Sequence, residues 1–593
     1  MQTEKKIYTD KNFSNITLTE VEKKERKEEE MLTPYKPNRD YHFFDMIKNI
    51  LNTKGNIKDI YVEKLLSDEK NIKIYENAFT SNSVNAFKIP ETGIIVEDEN
   101  SKDNYDIYKI HGENIFENFM VWYIHKRFNL NNASDVKIIA RMKINYGPKH
   151  EFPAISEKLG FFNYISSSEY ERKNNRLILL QNVFSAFIGA TSFILDGAMN
   201  IHGVGFAICY DILRNVFDDI DIKRPSKFEE LDDPITKLKN FFDRSKTKKT
   251  IGELLPYEYS YDFENRIHIW IISYKKRNNN IQVISKIESK LPKDEAKKAT
   301  AIKAIEYLEL KNMWSAQDDN VKKIYVDIAS TIIIKGDRTA QFKKHIENLL
   351  KNSNIQNKYL NILLNDESMK IYNNAFTSNS ANLDENLYKN ENSPDNYEIY
   401  ETIGDAVFKN FISFYISERF GYFFSSKDVK ILAKIKIKYG SNEEFAPMSK
   451  ELGFLPFITA SKLELNTDKL KLLEDVFESF FGATCYILDS TFRIGVGYSI
   501  CYDILKYIFD KKDIPFIYSE LNDPISILKE FFDTHKEMRA NYIYQDNVGK
   551  SICIIELITE TSTKIIGTGY GYIKKDAKKQ AAINAVKNLK LKS

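Results

Sequence analysis

The sequence predicts an α+β multidomain protein: two all-α domains, each followed by a smaller domain of α-β-β-β-α order. Internal duplication is the first observation behind this. Lys73-Ile-Tyr-Glu-Asn-Ala-Phe-Thr-Ser-Asn-Ser83 returns as Lys370-Ile-Tyr-Asn-Asn-Ala-Phe-Thr-Ser-Asn-Ser380, and Ile208-Cys-Tyr-Asp-Ile-Leu213 returns as Ile500-Cys-Tyr-Asp-Ile-Leu505. A period of roughly 290 residues marks a duplicated multidomain unit, far too long for a solenoid repeat. Second, the front of each unit is apolar at helical spacing, as from Phe408 to Phe420 and from Leu472 to Leu488. Third, the back of the second unit turns to strand-like alternation around Ser551–Glu560 and Thr563–Gly569. An Ala-rich helix then begins near Lys574.

Length and composition bound the rest. At 593 residues the prior is about four domains. A net charge of +2 gives the whole chain no electrostatic footprint, so any basic patch must be local. Cys209, Cys485, Cys501 and Cys553 form no CxxC pair and lie in apolar runs. Buried free thiols and a reducing, intracellular compartment are expected. The N-terminus lacks an apolar core, so no signal peptide is expected. Residues 177–195 are nearly long and apolar enough to span a membrane. Their counterpart at 470–488 carries Glu474, Asp475 and Glu478. Equivalent copies occupy equivalent environments, so both read as buried core helices and no membrane partner is expected.

In chain order, residues 1–40 are a charged tail, either a solvated helix or disordered. Residues 41–225 form the first helical domain and 228–311 the first small domain, with Asp233-Pro234 opening its first helix and Lys293 its last. Residues 312–338 read as a linker, with a helix around Val321 to Ile334. Residues 339–516 form the second helical domain and 520–593 the second small one, opened by Asp523-Pro524 with Pro at an early helical position.

The chemistry sits in the second unit. Glu401 and Asp405 share a helix face at i, i+4; Asp475 and Glu478 share another at i, i+3. Like charges at these spacings weaken a helix, and acids on an apolar face need a cation. Two such pairs facing each other across a divalent metal satisfy both demands, and oxygen ligands suit Mg²⁺. Any one of these acids alone is most often an ordinary helix carboxylate, and Glu474 is read that way. Four of them on two apolar helices favour the metal. In the first unit Glu401 becomes Lys109, Asp405 becomes Glu113, Asp475 becomes Asn182 and Glu478 becomes Ser185. The apolar scaffold stays. Lys109 and Glu113 can pair, so that unit folds without metal. Asp196 and Asp489 follow similar apolar runs and read as structural caps.

Glu398-x-x-Glu401-x-x-Gly404-Asp405-Ala406 with Asp475-x-x-Glu478-Ser479-x-x-Gly482-Ala483 resembles the signature of the RNase III family. Asn374-Ala-Phe-Thr377 resembles an element that precedes it. Gly569-x-Gly571-x-x-Lys574-Lys575-x-Ala577-Lys578, with the helix start Asp523-Pro524-x-x-x-Leu528-x-Glu530, resembles a double-stranded RNA-binding domain. The resemblance implies two RNase III-like domains, the first a pseudo-nuclease, and two double-stranded RNA-binding domains, the first degenerate. It implies that Glu401, Asp405, Asp475 and Glu478 hold Mg²⁺, with Mn²⁺ as substitute and Glu398 as accessory. Double-stranded RNA would be cut to 5′-phosphate and 3′-hydroxyl ends by nuclease units paired within the chain or in a homodimer. Lys574, Lys575 and Lys578 would grip phosphate at a helix N-terminus, with Glu530 reaching the minor groove. In the first copy the Gly-x-Gly pair is missing and Asp294 replaces Lys575, which weakens that grip. The rival reading is a non-catalytic protein that sequesters double-stranded RNA or scaffolds on it, as an RNA-silencing suppressor or a ribosome-associated component does.

Overall fold

The computed structural model describes residues 20–591 apart from 91, 226–231, 249–251, 263–264, 277, 312, 315–331, 384–389, 391–392, 422–424, 441, 518–520, 522–523, 536, 548–549, 560–561 and 573. Asp523 and most of the expected Val321–Ile334 helix lie outside the described residues.

Four helices position the site: α1 (Asp106–Phe128), α2 (Arg176–Met199), α3 (Glu398–Phe420) and α4 (Lys469–Thr491). Each is apolar on most of its circumference, which marks a helix buried in a core. α1 crosses α2, and α3 crosses α4. Glycines set both crossings. A Cβ on Gly404 would stand 1.8 Å from the Glu478 carbonyl oxygen, and one on Gly482 would stand 1.8 Å from that of Tyr400. In the first half the same test gives 1.7 Å from Gly112 to Ser185 and 1.9 Å from Gly189 to Tyr108. Only glycine admits such backbone contact. α2 is apolar enough to cross a membrane, yet its most apolar stretch is 78% buried inside the protein.

The two helical halves share one apolar cluster, running from Phe43 to Ile222 and from Phe342 to Leu521. α1 lies against α3, and the Val204–Phe217 helix lies against Val496–Phe509. Asp196 and Asp489, near the ends of α2 and α4, cap the N-termini of these last two helices. Asp196 Oδ1 accepts from Gly205 N at 2.7 Å, and Asp489 Oδ1 accepts from Gly495 N at 3.0 Å and Gly497 N at 2.6 Å. All four cysteines are free and buried.

Both halves begin earlier than the composition suggested. Residues 20–40 are not a disordered tail. Glu20–Leu32 is helical, and its Glu28 and Glu30 pair with Lys88 and Lys173 at 2.8 and 3.2 Å. Pro34–Tyr35 pairs with Ser167–Ser168, and Ile333–Ile334, expected in a linker helix, pairs with Ala460–Ser461. Arg39 and Arg338 fasten these entries. Each guanidinium donates to buried loop carbonyls, Phe79 O at 2.7 Å and Phe376 O at 3.1 Å. These charged residues read as solvated in sequence because their partners lie far away along the chain.

The small modules have separate cores. In the C-terminal one, Arg539–Asn547, Lys550–Ile558 and Thr563–Gly571 form an antiparallel sheet beneath Pro524–Thr534 and Lys574–Asn588. Gly567, Gly569 and Gly571 face the last helix, where a Cβ would reach Ala581 O, Ala581 N and Ala577 N within 2.2, 2.1 and 2.6 Å. In the first module the opening strand is split into Gly252–Leu254 and Glu258–Asp262, both paired with Ile267–Lys276. Pro256 lies in the gap, where it has no N–H to give a ladder.

Candidate active site

The glycine crossing of α3 and α4 brings acids together. Glu401, Asp475 and Glu478 each place one carboxylate oxygen within 4.8 Å of the others. Tyr397 Oη donates to Asp475 Oδ2 at 2.9 Å. Asp475 and Glu478 are buried, and Glu401 is half-buried. Burial raises the Glu401 carboxyl to about 8, with Asp475 adding to the rise. Glu478 is pushed well up by burial, then by Asp405 and Glu401. Asp475 is raised by burial, with Lys471 opposing. Three acids held this way cannot all ionise without a cation.

The fourth expected ligand stands apart. Asp405 is outside the three-acid cluster, and its Oδ2 accepts from Lys409 Nζ at 2.8 Å. Lys409 also reaches Glu117 of the first half, 3.4 Å away. Asp405 stays near enough to be the leading charge acting on Glu478. Glu398, in the first turn of α3, acts on Glu401 only as a neighbouring charge and is not part of the cluster.

Two residues escaped the sequence reading. Lys471 Nζ lies 2.5 Å from Asp475, 3.4 Å from Glu474 and 3.8 Å from Glu401. Its spacing from Glu474 and Asp475, i+3 and i+4, was a readable signal. Glu474 is 7% exposed and belongs to this ion-paired group, so it is not an ordinary solvated carboxylate. Tyr397, capping α3, gave no signal that distinguished it from a core tyrosine.

The donor set fits a hard divalent cation. It offers three convergent oxygens whose burial leaves them short of positive charge, and one lysine supplies only part of it. In the first half nothing comparable exists among the described residues. Lys109 and Glu113 pair at 4.0 Å. Asn182 Nδ2 donates to Tyr105 Oη at 3.1 Å, and Ser185 Oγ donates to Gln181 O at 3.2 Å. Tyr105 is the counterpart of Tyr397, so the same hydroxyl accepts from an amide in one half and donates to a carboxylate in the other.

In the C-terminal module Lys574 and Lys575 are exposed at the start of the last helix. Lys578 Nζ stands 4.9 Å above the Tyr542 ring, which holds it on the same side. Glu530 was expected at the RNA. It lies 3.2 Å from Lys434 Nζ of the second helical half.

Fold and cluster together define the class: a multidomain α+β protein with, among the described residues, one carboxylate centre suited to a divalent cation. A model of the Ribonuclease III domain matches residues 398–487. "Putative ribonuclease 3" of Invertebrate iridescent virus 6 is 34% identical over 278 residues, covering 44% of this chain and 91% of that protein. "Putative ribonuclease 3" of Frog virus 3 is 34% identical over 241 residues, 40% of this chain and 60% of that one. "Ribonuclease 3" of Limosilactobacillus fermentum is 28% identical over 211 residues, 34% and 86% of the two chains. The chain therefore belongs to the ribonuclease III family, the family of RNase III-type endoribonucleases.

Proposed function

We propose that the chain is a Mg²⁺-dependent endoribonuclease that cuts double-stranded RNA to 5′-phosphate and 3′-hydroxyl ends, with one working centre. The working centre is in the second half. The first half is an inactive partner paired with it in the same chain. The observation that carries this is the convergence of Glu401, Asp475 and Glu478 in one half, against Lys109, Asn182 and Ser185 at the matching positions in the other.

Glu401, Asp475 and Glu478 would hold the cation, with Asp405 reaching it once Lys409 yields. When bound, the cation lowers the pKa of water and offsets charge on the phosphate. The chain's own residues do the rest. Tyr397 fixes the Asp475 carboxylate, and the glycine crossing fixes the spacing of the two acid-bearing helices. Lys574, Lys575 and Lys578 sit where an RNA backbone would meet the last helix, and the C-terminal module is read as the RNA-binding one. The split strand and Asp294 of the first module suit packing better than phosphate.

The test is Mg²⁺-dependent cleavage of duplex RNA by the native chain and by Glu478→Gln. Cutting by the native chain, lost in the variant while RNA binding is kept, is the expected result. Tight binding without cutting by either protein would replace the enzyme with a sequestering protein.

A further inference from the structure

The contact between the helical halves joins equivalent elements, and its side chains differ sharply between the two sides. In the register of the repeat, Gly203 corresponds to Gly495, and the two meet. A Cβ on Gly203 would stand 2.7 Å from Gly495 O, and one on Gly495 would stand 2.8 Å from Gly203 O. Glu117 corresponds to Lys409, and these also meet, at 3.4 Å. Residues that touch their own counterparts lie beside a pseudo-twofold axis. In a symmetric dimer each would face a copy of itself. Glu117 would face Glu117, or Lys409 would face Lys409.

Away from the axis several polar contacts have no symmetric counterpart. His111 Nδ1 is 3.3 Å from Ser413 Oγ, and its Nε2 is 3.2 Å from Ser417 Oγ. Asn114 Nδ2 donates to Ser413 Oγ at 3.0 Å, and Asn114 Oδ1 accepts from Lys436 Nζ at 2.6 Å. His111, Asn114, Ser413 and Ser417 are all buried. Burial holds the His111 ring neutral, its pKa lowered to about 3, so it serves as a hydrogen-bonding group. His202 Nε2 pairs with Glu418 Oε2 at 3.3 Å. None of these contacts has a mirror. The counterparts of His111 and Asn114 are Ile403 and Ala406, those of Ser413 and Ser417 are Val121 and His125, and those of His202 and Glu418 are Ile494 and Lys126.

Two second halves brought together would leave Ser413 and Ser417 facing Ile403 and Ala406. They would also leave Glu418 facing Ile494 and set lysine against lysine. Two first halves would set His202 against Lys126 and glutamate against glutamate. Buried polar groups without partners and like charges in contact both reject an interface. We propose that this surface is a partner-selecting interface that accepts only the opposite half, so the chain pairs with itself and a second copy's matching half is refused. This rests on the intramolecular pairing proposed above. It gives the inactive half a task, since pairing of two active halves would place two working centres on one duplex.

The test uses the full chain and reads mass and melting temperature, not cleavage, so it stands or falls apart from the nuclease reading. Light scattering at rising concentration is expected to give a monomer of 69.2 kDa throughout. Glu117→Lys and Lys409→Glu are each expected to lower the melting temperature by roughly 2 °C or more. The paired exchange, Glu117→Lys with Lys409→Glu, is expected to recover at least half of the summed loss. His111→Ile, which installs the counterpart residue, is expected to lower melting without recovery by either charge change. Additive losses in the paired exchange, or a concentration-dependent dimer of the native chain, would overturn the proposal. If a single exchange fails to fold, the paired one decides: a folded monomer supports the proposal, and an unfolded or dimeric product overturns it.

Discussion

The two helical halves share a skeleton and differ in what it carries. Gly112 and Gly189 bring α1 onto α2 as closely as Gly404 and Gly482 bring α3 onto α4. The threonine behind each crossing shares a hydrogen bond with the equivalent tyrosine hydroxyl, Thr191 with Tyr75 and Thr484 with Tyr372. Yet one crossing holds three acids and a lysine, and the other holds an amide, a hydroxyl and a half-buried ion pair. The skeleton therefore does not need the acids. Their burial raises all three carboxyls, and Lys471 offsets only part of that burden, a cost of the kind expected at a functional site.

The largest effect should come from removing a ligand in one half and its counterpart in the other. Charge stabilisation by a bound cation is worth several kcal/mol, and each ~1.4 kcal/mol is a factor of ten in rate. Asp475→Asn should slow duplex cleavage by at least roughly a hundredfold on that scale. Asn182→Ala should leave the rate within about twofold, since no transition-state contact is removed. Comparable losses in single-turnover assays would erase the difference between the halves.

Next come the crossings themselves. Gly404→Ala and Gly112→Ala should destabilise alike, by about 1–3 kcal/mol or more, because each forces a methyl into backbone. Denaturant melts that spared Gly112→Ala would show that the first crossing is not built like the second.

A smaller effect separates the halves by pH. Glu401 has an ordinary value of 4.5 and is raised to about 8. Below that window the carboxyl is protonated in folded and unfolded chains alike. Within it the folded chain alone keeps the proton, so stability falls as pH rises from about 4.5 to about 8. Metal-free melts of the native chain should show this fall, and Glu401→Gln should flatten it. Added Mg²⁺ should lessen it in the native chain only. A native profile that matched the variant would contradict the burial argument. The smallest expected change is at the RNA face, where Lys578→Ala should weaken duplex binding uniformly across sequences and reduce the salt slope by about 1. Filter binding across a salt series measures it, and an unchanged slope would remove Lys578 from the contact.

Much of this was legible in the sequence, for a physical reason. Helical periodicity, the glycine spacing and the paired acids are local patterns, and the duplication supplied an internal control that exposed Lys109, Asn182 and Ser185. What escaped depends on distant contacts. Asp405 turns toward Lys409 because Glu117 of the other half holds that lysine from behind. Arg39 and Arg338 look like loop residues until the loops that receive them are in place. Glu530 lies on the predicted helix, and its pairing with Lys434 of another module was not readable from the sequence. Lys471 stands at i, i+4 from Asp475, a legible spacing, but the acids alone already make a complete metal-binding pattern.

Strand-specific cleavage decides whether a self-paired chain works with a single centre. A duplex labelled differently on each strand is incubated with the monomeric full chain and Mg²⁺ under single-encounter conditions. A nick in one strand and an intact opposite strand are expected. Equal cutting of both strands by a proven monomer would contradict a single working centre.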